Sequence, residues 1–417
     1  MALAKRAFIA GGSITNFIGK GHPDFIWKKH PDFGTKKNPT WEELLQQAVD
    51  ELIENTGLNP EDVDRLYLGN FTGELFVNQG HMGAGLIGTH PAFANKPSMR
   101  VEGACASGGL AIMAGLDAIA AGADIVLVAG VEVQTTVSAR EGGDFLARAS
   151  HYSRQRSIDD FTFPALFGRR AKAYCEAFGV TSAYIDTVSV KAYANANLNP
   201  KAHMKASEMT LILAEKSIKF LGNEQYKPFV KVSDCSQVSD GASAMLLVSE
   251  AGLAKLNKSV SDVAEIVGRG HSVASLYVDG DLTKLTTSAD AVSKAYSDAG
   301  VTAEDIDVAE VHDCFAVTEC MMYEAAGFAP FGEGAKLAAS GETRINGKIP
   351  VNTGGGLIGF GHPVGATGVK QAVEIFRQMK GECGDYQIPN IPKYGLTINM
   401  GGDDKTVVSL VIENGGV

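Results

Sequence analysis

The stretch Gly57-Leu58-Asn59-Pro60-Glu61-Asp62-Val63-Asp64-Arg65-Leu66-Tyr67-Leu68-Gly69 returns in altered form as Gly300-Val301-Thr302-Ala303-Glu304-Asp305-Ile306-Asp307-Val308-Ala309-Glu310-Val311-His312. Glycine, Glu-Asp, a β-branched residue and Asp recur in the same order. Each copy reads as a helix stop, a turn and a strand. Before the first copy, Trp41, Leu44, Leu45, Ala48, Leu52 and Ile53 share one helical face from Trp41 to Thr56. Residues 289–299 take the corresponding place before the second.

The parallel extends outward. Val101-Glu102-Gly103-Ala104-Cys105 and Val351-Asn352-Thr353-Gly354-Gly355 each open a glycine-rich segment that leads into a helix. Residues 111–123 are apolar at helical spacing, and Ile125-Val126-Leu127-Val128-Ala129-Gly130 has the continuous pattern of a buried strand. A repeat this long is a duplicated domain, not a solenoid. Each half reads strand, helix, strand, glycine-rich turn, helix, strand, which predicts an α/β fold with helices covering both sheet faces. Across 133–228 the pattern breaks into an insertion with its own helices, expected at 165–178 and 182–195. The insertion interleaves Arg140, Arg148, Arg154, Arg156, Arg169, Arg170 and Lys172 with Phe161, Phe163, Phe167 and Tyr174. A solvated surface and a lid over a phosphate-bearing ligand both fit that mixture. The expected division is 1–270 and 271–417.

The chain has 417 residues, 45% apolar and 20% charged, as in globular enzymes with a large core. A net charge of −11 argues against general nucleic-acid binding. The six cysteines form no CxxC pair, which speaks against a zinc ribbon, a metal site or a disulfide framework and for a reducing, cytoplasmic setting. Apolar runs are too short to span a membrane, and the Gly11-Gly12 break makes the N-terminus a first strand, not a signal peptide.

Cys105 sits among small residues where a helix starts. Free N–H groups and the helix dipole favour a thiolate there. On this segment alone, a reactive thiol and an inert buried cysteine are equally compatible. Three further motifs shift the balance. His312-Asp313-Cys314-Phe315 follows the strand of the second repeat, where open α/β sheets place reactive groups. His362 stands among glycines in Gly354-Gly355-Gly356-Leu357-Ile358-Gly359-Phe360-Gly361-His362-Pro363-Val364-Gly365-Ala366-Thr367-Gly368, a setting hard to reconcile with core packing. Thr397-Ile398-Asn399-Met400-Gly401-Gly402-Asp403-Asp404 offers backbone N–H groups to a developing anion, although a plain turn fits its spacing nearly as well. Two cysteines and two histidines without metal spacing suggest acyl transfer through a thioester. Cys105 would be the nucleophile and a second thiol the α-carbon acid/base.

These motifs, with Ser239-Asp240-Gly241-Ala242-Ser243-Ala244, resemble the thiolase family over essentially the whole chain, in the branch of sterol-carrier-protein thiolases and archaeal acetyl-CoA acetyltransferases. The resemblance implies a duplicated five-layer α-β-α-β-α fold with an inserted loop domain. It implies a 3-ketoacyl-CoA thiolase acting on coenzyme A thioesters, with no covalently bound cofactor; the alternative is another condensing enzyme or acyltransferase of the same fold. By the same resemblance Cys105 is acylated, His362 activates it, and His312 and His362 hold the substrate thioester oxygen. Cys314 serves the α-carbon, replacing a cysteine that many thiolases carry where this chain has Asn399. The Cys105 and Gly401 amides form a second oxyanion hole. A homodimer or dimer of dimers is implied, and some relatives work with a small zinc-ribbon/OB-fold partner. No nucleic-acid or membrane partner follows. The chain departs from the family at Asp403-Asp404, where relatives often carry more glycine, a change expected to narrow or polarise the region behind Gly401. No sterol-carrier domain follows the last strand, so fused lipid transfer is not implied.

Overall fold

The computed structural model describes residues 5–417, so the first four positions of the expected first half lie outside it. Both copies of the repeated phrase fold alike. The Trp41–Thr56 helix starts on a Thr40/Glu43 capping box and ends at Gly57, whose φ of 67° is left-handed. A 3₁₀ turn, Pro60–Asp62, then leads to strand Arg65–Gly69. In the second copy the helix ends at Gly300, φ 69°, followed by the turn Ala303–Asp305 and strand Val308–Glu310. That second helix runs Thr286–Ala299, three residues longer at its start than the sequence predicts. Its extra turn is held by Asp404, whose carboxylate accepts the Thr287 and Ser288 amides at 2.9 and 3.0 Å.

Among the described residues, nine strands form one hydrogen-bonded sheet: β1 Phe8–Ile14, β2 Arg65–Gly69, β3 Ser98–Val101, β4 Ile125–Glu132, β5 Gly241–Val248, β6 Ala264–Val273, β7 Val308–Glu310, β8 Tyr394–Gly401 and β9 Thr406–Asn414. Their order is β3-β2-β4-β5-β1-β6-β9-β8-β7. Read outward from the centre, β1-β5-β4-β2-β3 is matched by β6-β9-β8-β7, and Val351 bridges Ala309 where the second half's fifth strand would lie. Among the described residues, the two half-sheets join where Phe8 lies opposite Glu265 and Ile9 opposite Ala264. β4 and β5 are buried at every position, as strands covered on both faces must be.

Two helices lie between the half-sheets, Ser107–Ala120 and Thr367–Lys380. The Trp41–Thr56 helix covers the outer face of the first half and Thr286–Ala299 that of the second, which completes five layers. Thr367–Lys380 is buried except at Arg377 and Lys380. Its interior polar groups are therefore paired: Lys370 Nζ lies 2.7 Å from Glu310 Oε2 at the end of β7. The insertion forms helices Thr162–Phe178 and Ser182–Leu198, which dock against Ala316–Ala325 of the second half.

Candidate active site

The two central helices cross at their N-termini through glycine. A Cβ on Gly108 would sit 2.8 Å from the Gly368 nitrogen and 2.9 Å from the Gly365 oxygen, so a side chain there would force the helices apart. Cys105 lies just before one helix and His362 just before the other. Their approach is thus a consequence of the crossing. His312 arrives from the end of β7, where Asn352 Oδ1 accepts the Val311 amide at 2.9 Å.

The Cys105 sulfur and one ring nitrogen each of His312 and His362 lie within 4.8 Å of one another. The imidazoles stand edge to face, centroids 5.1 Å apart. Cys314 is buried beside them, 3.9 Å from Thr318 Oγ1 and close enough to Cys105 for their charges to interact. The structure therefore gathers all four residues that the sequence singles out. Gly401 ends β8 against the Cys105 loop, where a Cβ would collide with the Gly103 carbonyl.

The network around His362 favours one tautomer. The Thr367 hydroxyl donates to the Pro363 carbonyl at 3.1 Å, so its oxygen accepts from His362 Nδ1 at 2.7 Å. Nε2 then carries the bare lone pair, and it is buried without a partner. Burial pushes the His362 pKa down to about 3 and, with the neighbouring His362, holds His312 well below the usual imidazole range. Both rings are neutral at physiological pH.

Cys105 corrects an expectation. Its position before a helix favours a thiolate, but burial pushes the thiol up to about 12, and Glu132 and Glu102 push the same way. Hydrogen bonds from the Gly402 and Cys105 amides oppose this and do not win. Desolvation exceeds a dipole that acts on one turn only. The resting pair is therefore thiol and neutral imidazole. Because the thiol form persists below about pH 12, alkylation of Cys105 by iodoacetamide is expected to rise roughly tenfold per pH unit from 7 to 10 without a plateau. Peptide mass mapping of the alkylated protein checks this; a plateau near neutrality would show a preformed thiolate.

Much of what holds the site is missed by sequence reasoning. Four first-half side chains grip four of the five backbone positions from His362 to Ala366. Ser239 Oγ accepts the His362 amide at 3.2 Å, Gln134 Oε1 the Val364 amide at 3.2 Å and Glu132 Oε2 the Gly365 amide at 3.0 Å. Ser243 Oγ donates to the Ala366 carbonyl at 3.1 Å. The one available signal for Glu132 was a carboxylate closing an otherwise apolar strand. Burial pushes its pKa up to about 7, against the Phe71, Thr72 and Gly365 amides that stabilise its charge. Asp313 ties its loop to the Gly356–Gly359 turn by accepting the Leu357 amide at 2.7 Å. Asn399 donates to the Cys105 carbonyl at 2.9 Å and accepts the Gly109 amide at 3.0 Å, which fixes the nucleophile loop to β8.

Asp403 and Asp404 do more than narrow or polarise the region behind Gly401, although the Asp403 charge does help push the Cys314 thiol up. Asp404 caps Thr286–Ala299, and Asp403 pairs with Arg170 and Arg169 of the insertion. The insertion's other cations are also engaged: Arg140 with Asp160, Arg148 and Arg156 with Asp144, Lys172 with Glu176. Arg154 lies over the Tyr277 ring and bonds its carbonyl. Internal carboxylates thus partner most of the charge that the lid reading assigned to a phosphate. Among the described residues no helix is long and apolar enough to cross a membrane.

Family models described as thiolase, N-terminal domain, and thiolase C-terminal domain-like match residues 30–251 and 268–414. The chain is 34% identical to an acetyl-CoA acetyltransferase of Methanothermobacter thermautotrophicus over 88% of its own length and 93% of the relative's. It is 27% identical to human sterol carrier protein 2, over 98% of this chain and 72% of that one. The solved structure of an Ltp2-ChsH2(DUF35) aldolase superposes with a TM-score of 0.78 at 22% identity, covering 99% of this chain and 98% of the other. This chain belongs to the thiolase family. It is an acyltransferase with the duplicated α/β thiolase fold.

Proposed function

We propose that this protein is a thiolase that cleaves or forms 3-ketoacyl-CoA through an acyl-Cys105 intermediate. The observation that carries the reading is the bare His362 Nε2 in a cluster with the Cys105 thiol and His312. In cleavage, the Cys105 sulfur attacks the 3-keto carbon while its proton passes to His362. The C2–C3 bond breaks, and Cys314 protonates the departing acetyl-CoA enolate at its α-carbon. Burial keeps Cys314 well above the usual thiol range, so it is protonated and ready to donate. Coenzyme A then takes the acyl group from Cys105: its thiol proton passes to the Cys314 thiolate, and His362 returns its proton to the Cys105 sulfur. Neutral His312, with His362 once it carries the Cys105 proton, donates to the substrate thioester oxygen, and the Cys105 and Gly401 amides hold the acyl-enzyme oxyanion. Both halves, 1–270 and 271–417, are required, because Cys105 comes from the first and the other three side chains from the second.

The proposal extends to a homodimer or dimer of dimers and to a small zinc-ribbon/OB-fold partner. A DUF35 component in the name of the structural neighbour supports the partner. Six unpaired thiols suit a reducing, cytoplasmic setting. Intact-mass measurement after incubation with acetyl-CoA is expected to show one acetyl adduct, absent from Cys105→Ala. An adduct that survives in Cys105→Ala overturns the assignment. A thiolysis screen of short, long and aromatic 3-ketoacyl-CoAs, with and without candidate partners, identifies the acyl chain.

A further inference from the structure

We propose that Cys105, His312 and His362 form a capture site for a soft or borderline divalent cation of the Zn²⁺ class. Three observations carry this. First, each residue offers one ligand atom, and the three atoms already lie within 4.8 Å of one another. In a tetrahedral zinc site, Zn–S and Zn–N bonds of about 2.3 and 2.0–2.1 Å put ligand atoms roughly 3.3–3.6 Å apart. The widest pair must close by about 1–1.5 Å to reach that geometry.

Second, each histidine keeps a ring nitrogen that no hydrogen bond commits. His362 Nε2 and His312 Nδ1 are buried without hydrogen-bond partners, and the residues are 7% and 1% exposed. A buried polar atom left unsatisfied gains from any ligand that restores its lost interactions. Third, the outer support that metal-bound histidines need is present: the Thr367 oxygen accepts from His362 Nδ1, fixing the tautomer with Nε2 free.

The donor set dictates the ion. One thiolate and two imidazoles favour Zn²⁺, Co²⁺ or Cd²⁺, and no carboxylate belongs to the cluster, so Mg²⁺ and Ca²⁺ lack the oxygen ligands they need. On binding, the Cys105 S–H bond breaks, the sulfur bonds the cation, and the proton leaves to solvent. Water fills the fourth position. The ion occupies the lone pairs of both nucleophile and base, so it excludes acylation. That consequence rests on the acyl-Cys105 reading; the binding itself does not.

The two are separated by titrating the full-length, chelator-washed protein with CoCl₂ and recording absorbance. Expected are one Co²⁺ per chain, a thiolate-to-cobalt charge-transfer band, release of one proton and displacement by ZnCl₂, whereas MgCl₂ does nothing. Cys105→Ala, and wild-type protein alkylated at Cys105, are both expected to lose the band. Thr367→Val is expected to weaken binding by about 10–100-fold. Absence of the band in wild type, or an undiminished band in both Cys105-blocked forms, overturns the proposal. Cobalt binding with the band in a protein that acetyl-CoA never acylates supports the metal site and refutes only the acyl-enzyme reading.

Discussion

Replacing Cys314 by alanine is expected to stop carbon–carbon bond cleavage and formation while Cys105 is still acylated by acetyl-CoA. The two half-reactions need different groups. Acylation from a thioester needs a nucleophile and a base, Cys105 and His362. Breaking the C2–C3 bond also needs a proton donor at the α-carbon, and Cys314 is the buried thiol that remains protonated beside Cys105. Loss of a general acid typically costs about 10²–10⁴ in rate. Thiolysis of a 3-ketoacyl-CoA, followed by the thioester absorbance, is expected to fall by that factor in Cys314→Ala. Acetyl adduct formation, followed by intact mass, is expected to stay within about tenfold of wild type. A Cys314→Ala protein that cleaves substrate at the wild-type rate would place the acid/base elsewhere. Equal loss of both half-reactions would make Cys314 a structural support of the Cys105 loop.

Lys370→Met is expected to destabilise the protein by about 3–5 kcal/mol. Lys370 lies in the central helix, fully enclosed, with its ammonium 2.7 Å from Glu310 and above the Phe360 ring. Removing the cation strands Glu310 next to Glu374 in the interior, and a buried charge without its partner is costly. The double variant Lys370→Met/Glu310→Gln removes both charges and is expected to recover part of the loss. Urea unfolding midpoints of the two variants check this. A single variant as stable as wild type would show that the pair contributes nothing. Because Glu310 ends β7 just ahead of His312, the same pair ties the core to the site.

The repeat was the most legible feature of the chain. Glycines at 57 and 300, each followed by Glu-Asp and a β-branched residue, lie in left-handed caps at φ 67° and 69°. Local chemistry suffices there, since a helix end, a turn and the start of a strand are decided within a few residues. The extra turn at Thr286 was invisible because its cap, Asp404, comes from the far end of the sequence. In the site, small and glycine-rich surroundings marked Cys105 and His362, and a position directly after the second repeat's strand marked His312 and Cys314. Glu132 and Gln134 escaped notice, since nothing near them in sequence shows which distant loop they grip.

Two charge-based expectations changed for the same reason. Asp403 and Asp404 became an ion-pair partner and a helix cap, and the insertion's arginines other than Arg154 found carboxylates within the fold. Cys105 was a thiolate by position and is a thiol by burial. Sequence alone determined the duplicated α/β plan and the reactive side chains, because hydrophobic periodicity, caps and residue chemistry act locally. Only the tertiary structure decided how those side chains meet and which protonation states they hold. The crossing at Gly108 and Gly368 brings two helix N-termini together, and desolvation there is a property of everything packed around them.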